Sequence, residues 1–397
     1  MNAKIKILLF STLYPSSVRP LHGIFVETRL RELLKSGRVE AQVVAPVPWF
    51  PFKHKRFGSY ASMAATPRYE VRHGIAVHHP RYLLPPKVGQ NIAPYVLAAG
   101  ALPTIRKLQR EGFDFDLIDA HFFYPDGVAA SIIARHVGKP FVCTARGSDI
   151  NLYKNYARPR RLIRQTLQAS SANIGVSADL VQQMIELGAP ADRCNVIRNG
   201  VDLQRFAMVD QTDARRQLGI DHAGLFLLSV GNLVELKGHD FVIRMLENLP
   251  PAKLAIVGSG PELPALQTLA TSIGLADRVL FAGQQPNESM KTWFGAADVL
   301  VLASSREGWP NVLLESMACG TPVVATRVNG TPEVVASLSA GRLAEGRDVP
   351  HLLAALHSLL ADRPSRAEVR RYAEGFSWYE TTQAQCRLFA AVCKNPR

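Results

Sequence analysis

The chain has 397 residues, 47% apolar and 20% charged, a size suggesting roughly two or three domains and a composition that excludes disorder and collagen-like repeats. Its formal charge is +13, and all of the surplus lies in residues 1–186, where 25 Lys and Arg face 12 Asp and Glu; residues 187–397 hold 21 of each. The five cysteines, Cys143, Cys194, Cys319, Cys386 and Cys393, are widely spaced, with no CxxC pair and no His at zinc-site spacing, which points to reduced thiols in a cytoplasmic protein.

Lys4 and Lys6 precede a short Ile-Leu-Leu-Phe run, but no small-residue cleavage site follows and Tyr14-Pro15 ends the segment. Residues 5–11 therefore read as a buried first strand, not a signal peptide. A helix is predicted over 25–35, with Phe25, Leu30, Leu33 and Leu34 on one face, and a second strand over 39–45. The most apolar stretch, 92–105, carries Pro94, Gly100 and Pro103 and falls short of the roughly 18 residues a spanning helix needs. Strands over 115–119, 141–144 and 172–176, with an amphipathic helix over 128–136, complete the first half. Apolar strands separated by helix-length segments argue for a parallel sheet covered on both faces.

The second half repeats this grammar, with strands over 225–230, Lys253–Val257, 279–281, Val299–Leu302 and 323–325. The fold class is thus α/β with two doubly wound, Rossmann-like domains, 1–198 and 199–376, passing from one to the other at Asn199-Gly200. Residues 377–397 form a C-terminal helix crossing back, with Trp378, Tyr379, Cys386, Phe389 and Val392 available for docking. Such lobes are expected to turn the C-terminal ends of both sheets toward a shared cleft, so function is sought in the loops after strands.

The strongest of these loops follows Val299–Leu302. Glu307 and Gly308 lie in it with Trp309, Pro310 suits the first turn of a helix that Asn311 to Ala318 continue, and Val312 and Glu315 stand on that helix. A loop running into a helix start offers unpaired N–H groups and a positive dipole end, which suit a phosphate or diphosphate. Glu315, about 6 Å along the helix from Asn311 at 1.5 Å per residue, can accept ribose hydroxyls, and Glu307 can do the same for a sugar on the other side.

A Glu, seven residues and a second Glu, in the setting E-G-W-P-N-V-L-L-E-S-M-A-C-G-T-P-V-V-A-T, resembles the signature of family 4 glycosyltransferases of the GT-B fold. Further segments match in order: Tyr14-Pro15 with His22-Gly23-Ile24-Phe25, Asp119-Ala120-His121-Phe122 with Tyr124-Pro125-Asp126-Gly127, 144–149 (T-A-R-G-S-D), 198–202 (R-N-G-V-D) and 230–238 (V-G-N-L-V-E-L-K-G). The resemblance covers nearly the whole chain. It implies retaining transfer of a sugar from a nucleotide sugar such as a UDP- or GDP-sugar, with the donor bound mainly by the second lobe and the acceptor by the first; since no metal ligands are apparent in the sequence, transfer is expected to be metal-independent, with no other cofactor.

Under the resemblance, Lys237 contacts the diphosphate and stabilises charge on the leaving group. Gly23 lets backbone approach the diphosphate or sugar, Glu307 holds donor-sugar hydroxyls and Glu315 the ribose. Gly308, Trp309, Pro310, Asn311 and Val312 belong to the same donor site. Two positions depart from the family. Asn232 stands where an Arg is frequent, removing one charge. Arg146 stands where many relatives have His, and an arginine is no general base at neutral pH, so it is read as a clamp for a phosphate or an acceptor carboxylate. Asp149 either orients Arg146 or caps the next helix.

Plainer readings stand beside these. His121 either lines the cleft as part of the catalytic set or is a hydrogen-bonded structural residue. Asp114-Phe115-Asp116 imitates a metal-binding DxD, but it precedes its strand, and Phe115 alternates inward, so no metal site is expected. Gly258-Ser259-Gly260 lacks the third glycine of a dinucleotide fingerprint and reads as a turn, and Asn199 and Asp202 shape the hinge. Residues 49–57 mix Trp49, Phe50, Phe52 and Phe57 with Lys53, His54, Lys55 and Arg56: a solvated loop or an anchor to anionic lipid headgroups. Arg158, Arg160, Arg161 and Arg164 add a second basic stretch.

The combined expectation is a glycosyltransferase at the cytoplasmic membrane face, building a surface polysaccharide, lipopolysaccharide or glycolipid on a lipid-linked or saccharide acceptor. A soluble enzyme of the starch or sucrose synthase type is the alternative, though the Lys-rich glycine loop of starch synthases is missing. A basic nucleic-acid-binding protein is the non-enzyme rival, without a recognition motif to support it. The oligomeric state is not legible.

Overall fold

The computed structural model describes residues 4–84 and 89–394. The chain divides into two compact units, one of residues 1–198 together with 381–397, the other of residues 199–380.

The first unit is built on β1 (Ile5–Phe10), β2 (Val39–Val44), β3 (Val47–Pro48), β4 (Tyr69–Arg72), β5 (Ile75–His78), β6 (Arg81–Tyr82), β7 (Leu117–His121), β8 (Phe141–Ala145), β9 (Ala172–Gly175) and β10 (Cys194–Val196). Eight of them form one sheet in the order β10, β9, β8, β7, β1, β2, β5, β4, and β3 pairs with β6 apart from it. All neighbours in the large sheet are parallel except β4 with β5. β1 is central, with Ile7 in register with Ala41 on one side and Leu117 on the other. Because both faces are covered, its residues from Ile7 to Phe10 are apolar without alternation and buried.

The second unit carries β11 (Phe226–Val230), β12 (Lys253–Val257), β13 (Val279–Gly283), β14 (Val299–Leu302), β15 (Val323–Thr326) and β16 (Gly341–Ala344). Their order is β13, β12, β11, β14, β15, β16, all parallel. This is the doubly wound arrangement in which strand order reverses between β11 and β14, opening a crevice at their C-terminal ends. Its core gathers Leu227, Leu254, Ile256, Val299 and Val301 from the sheet against Val242, Ile243, Leu352 and Leu356 from helices.

Several sequence expectations shift. The strand expected at 115–119 runs two residues later, so His121 ends β7 instead of following it. Residues 92–105 lie inside one helix, Gly89–Arg110, that contains both Pro94 and Pro103. The β4–β5 hairpin was not anticipated, although His73-Gly74, both at positive φ, is a turn pair between alternating apolar residues. The first and last residues of Asp114-Phe115-Asp116 are held locally: Asp114 pairs with Lys139 at 2.7 Å, and Asp116 accepts the Lys6 N–H at 2.8 Å. Among the described residues, no helix is long and apolar enough to cross a membrane.

The helix Trp378–Lys394 places Cys386, Phe389 and Val392 in the core of the first unit, beside Leu30, Leu33 and Val39. Tyr379, expected to dock, is 66% exposed. Phe389 is fully buried, so Phe389→Ala is expected to cost ~3–5 kcal/mol. A urea titration following the first unit checks this, and an unchanged midpoint would show that the helix contributes nothing to that core.

Candidate active site

In each unit the site residues come from loops leaving the C-terminal ends of the strands that flank the reversal point. In the first unit these are β1 and β7, with β8 next in the sheet. The loop after β1 is fastened by Asp126, which accepts from both the backbone N–H and the hydroxyl of Thr12. Asp126 is buried, and burial pushes its carboxyl up to about 7 against the opposing effect of those bonds.

Gly23 closes the same loop at the start of the helix Ile24–Lys35, with φ at 69°. A Cβ there would meet the Leu13 carbonyl oxygen at 2.3 Å, so the loop's own path demands glycine before any ligand is considered. Two residues on, the Phe25 ring lies 5.3 Å from the Arg146 guanidinium. Arg146 follows β8 and is half-buried; its guanidinium donates to His121 Nδ1 at 2.6 Å. Burial, reinforced by the Arg29 charge, holds Arg146 down to about 9, which leaves it a cation at neutral pH. Asp149 accepts the N–H groups of Arg146, Gly147 and Phe123, tying the loop after β8 to the loop after β7. It thus fixes the backbone on which Arg146 stands. His121 is 1% exposed, with Asp119 at 3.3 Å from its other ring nitrogen, so it sits behind Arg146 instead of at the surface.

In the second unit, Asn232 and Lys237 come from the loop after β11, and Glu307 from the loop after β14. The Lys237 ammonium meets the Glu307 carboxylate at 2.5 Å, directly across the reversal point. Ser304 donates its hydroxyl to the same carboxylate oxygen at 2.7 Å, and the Asn329 side chain accepts the Glu307 N–H at 3.3 Å. Asn232 is exposed, and its carbonyl faces His239 Nε2 at 3.3 Å. His239 is buried, which pushes its pKa down to about 4 and keeps it neutral beside Ser229.

The helix runs from Asn311 to Ala318; Pro310, expected in its first turn, is the N-cap, its ψ of 85° holding it outside the helix. In its first turn the Leu313 N–H donates to the Pro310 carbonyl at 3.0 Å, while helix geometry gives the N–H groups of Asn311 and Val312 no carbonyl four residues back. Trp309, expected at a ligand, is buried with its ring 6.1 Å from Phe376, so its side chain packs into the unit and only its backbone belongs to the loop. Gly308 is buried in the same loop, Val312 is half-buried on the first turn, and Asn311 accepts from the Asn199 side-chain amide at 3.1 Å. Glu315 is half-buried, and among the described residues no donor reaches its carboxylate; desolvation pushes it up to about 7. The Arg205 charge opposes that shift without cancelling it.

Gly258 and Gly260 prove to be packing glycines. A Cβ on either would strike a carbonyl oxygen, of Gly231 at 1.8 Å or of Leu233 at 2.3 Å, so the turn after β12 lies flush on the loop that carries Asn232. Sequence reasoning does not single out Asn329 or His239, and it reaches Asp126 only as part of a matching segment, without the clamping role that its bonds to Thr12 show. Asn329-Gly330, an Asn at positive φ before glycine, was the one available signal.

Residues 24–205 match the family model described as Glycosyltransferase Family 4, and residues 210–376 match that described as Glycosyl transferases group 1. The chain is 31% identical over 331 residues to the putative teichuronic acid biosynthesis glycosyltransferase TuaC of Bacillus subtilis, covering 82% of each protein. Among solved structures it resembles sucrose-phosphate synthase from Thermosynechococcus elongatus, with a TM-score of 0.79 at 19% identity over 98% of this chain and 99% of that one. It also resembles Anabaena HepE in complex with UDP-glucose, with a TM-score of 0.74 at 20% identity over 98% of this chain and 100% of that one.

Glu315 gives a pH test of the site's electrostatics. A carboxyl whose folded pKa lies above its unfolded value of about 4.5 favours folding when neutral, so stability falls as pH rises from there through about 7. Urea midpoints at pH 5 and pH 8 are expected to fall less in Glu315→Gln than in the unaltered chain. Equal falls would mean that Glu315 is not held in a desolvated setting.

Proposed function

We propose that this chain, which belongs to the family 4 glycosyltransferases of the GT-B fold, moves a sugar from a nucleotide sugar to a lipid-linked or saccharide acceptor with retention of anomeric configuration. The observation that carries the donor site is the Lys237 ammonium seated on Glu307 beside the start of the helix Asn311–Ala318. A diphosphate on the helix start meets open N–H groups and a positive dipole end. Lys237 has three N–H donors, so it can serve a phosphate oxygen while keeping its bond to Glu307. Glu315, unpartnered one turn along, takes the ribose hydroxyls, and Glu307 takes hydroxyls of the transferred sugar.

In the reaction the bond from the anomeric carbon to the diphosphate oxygen breaks, and a bond to the acceptor oxygen forms on the same face. The acceptor proton passes to the departing phosphate oxygen. Lys237 and the helix start are already in place where negative charge grows, so little reorganisation is needed as the leaving group departs. With that charge supplied by the protein, transfer is expected to proceed without an added divalent ion.

The acceptor side is proposed for the first unit, where Arg146 presents a fixed cation for a phosphate or carboxylate. The name of the Bacillus subtilis relative supports a place in cell-surface polysaccharide synthesis. A cytoplasmic location, on the inner face of the membrane, goes with that reading. The segment 49–60 supports a membrane contact: Phe50 packs against Phe52, Phe57 and Tyr60 with ring centroids 5.1 to 5.9 Å apart. Trp49, Phe52, Lys53, Lys55 and Arg56 are all exposed around that knot. Exposed aromatics set among cations suit the headgroup region of an anionic bilayer. Nucleic acid is not proposed as a partner.

Calorimetry against a panel of nucleotide sugars, followed by transfer assays with the donor that binds, tests the activity. Glu307→Ala is expected to lower kcat at least a hundredfold with unchanged near-UV circular dichroism, and turnover is expected to survive EDTA. Full turnover in Glu307→Ala would remove its role, and strict dependence on a divalent ion would refute the charge argument. For the membrane contact, replacing Phe52, Lys53, Lys55 and Arg56 by Ser is expected to reduce binding to vesicles containing phosphatidylglycerol. Unchanged partitioning would dismiss the anchor.

A further inference from the structure

The buried polar groups behind Arg146 form a single chain whose hydrogen-bond directions can be worked out from chemistry alone. It begins at Arg29, on the helix Ile24–Lys35, which is 1% exposed and donates to the Ile197 carbonyl at 3.1 Å and to Gln385 Oε1 at 3.0 Å. An arginine only donates, so the oxygen end of the Gln385 amide must face it, and the NH2 end faces Asp119 Oδ2 at 3.2 Å. The same carboxylate oxygen lies 3.3 Å from His121 Nε2. At the far end, Arg146 donates to His121 Nδ1 at 2.6 Å, which requires that nitrogen to be bare. With donors fixed at both ends, the proton of a neutral His121 ring can only be on Nε2, directed at Asp119.

We propose that Gln385 and Asp119 are positioning residues that lock His121 in the Nε2–H tautomer, so that its bare Nδ1 holds and aims the Arg146 guanidinium. His121 then moves no proton itself. Its two nitrogens are committed, and its work is to fix Arg146 from behind while Phe25 supports the guanidinium from the side. Gln385 stands on the C-terminal helix, far along the sequence from the other four residues, so that helix does more than fill the core. It supplies the link that holds Asp119 in register with the ring.

The charged groups around the ring are Asp119, Arg146 and Arg29, with Asp149 facing Arg146 from the loop beyond. Burial keeps His121 neutral down to about 4. Protonation of Nδ1 would set two cations against each other and eject the guanidinium, so the chain works only with a neutral ring. The proposal rests on the reading of this chain as a sugar transferase for its catalytic consequence, but the tautomer does not.

Long-range 1H–15N correlation spectra of the full chain, with the His121 signals assigned by their loss in His121→Asn, are expected to show the Nε2–H tautomer from pH 6 to pH 8. An Nδ1–H tautomer, or an imidazolium at pH 7, overturns the proposal. Gln385→Met keeps much of the side-chain volume and removes both bonds. It is expected to lower kcat at least tenfold with donor KM within twofold, and to add a second His121 tautomer. Unchanged kcat together with an unchanged single tautomer also overturns the proposal. Should Gln385→Met not fold, the tautomer of the unaltered chain decides alone. A chain with the Nε2–H tautomer but no transfer to any acceptor would end the functional reading and leave the positioning chain intact.

Discussion

Everything functional in this chain depends on what happens where a parallel sheet reverses its strand order. Connections leave the two strands at that point in opposite directions, so their C-terminal ends stand side by side with no helix over them. A gap of this kind exposes backbone and must be held open by specific contacts. Each unit does so with one acidic side chain crossing the gap. Asp126 grips Thr12 between the loops after β7 and β1, and Glu307 grips Lys237 between the loops after β14 and β11.

The two stitches differ in chemistry, and the difference divides the labour. Asp126 is buried, bonds a neutral backbone and hydroxyl, and acts as a structural clamp. The Glu307 and Lys237 pair is less enclosed, with side chains 11% and 21% exposed, and both members are charged. The Lys of this charge-assisted pair keeps donor capacity for an anion. The second unit therefore carries a charged pair at its reversal point, while in the first the clamp is neutral in its partners and the cation, Arg146, stands on the next loop, after β8, which Asp149 ties to the loop after β7.

Much of this was legible in the sequence because parallel strands buried on both faces are continuous apolar runs, and the order of runs and loops carries the topology. Pro310 marks the start of the helix Asn311–Ala318 to within one residue, and Glu307, Lys237 and Glu315 stand out in the sequence as charged residues in or just after the loops that leave strands. What escaped were partners whose meaning lies only in space. Nothing local marks Arg29 or Gln385, 356 residues apart, as members of one hydrogen-bonded pair. The β4–β5 hairpin was missed because a short antiparallel addition breaks the alternation of strands and helices that the rest of the unit obeys. Gly23 and Trp309 stand in the loops that the motifs mark, whereas His121 closes β7; close backbone approach at Gly23 and burial at Trp309 and His121 give them structural work, which the sequence offered as an alternative for His121 alone.

The account turns on where a diphosphate binds in the second unit. A crystal structure with a bound nucleotide sugar tests this most directly. The account predicts phosphate oxygens within hydrogen-bonding distance of the N–H groups at the start of the helix Asn311–Ala318 and of Lys237 Nζ, with the ribose hydroxyls on Glu315. A diphosphate lodged elsewhere, with Glu315 untouched and the first turn of that helix bare, would contradict it.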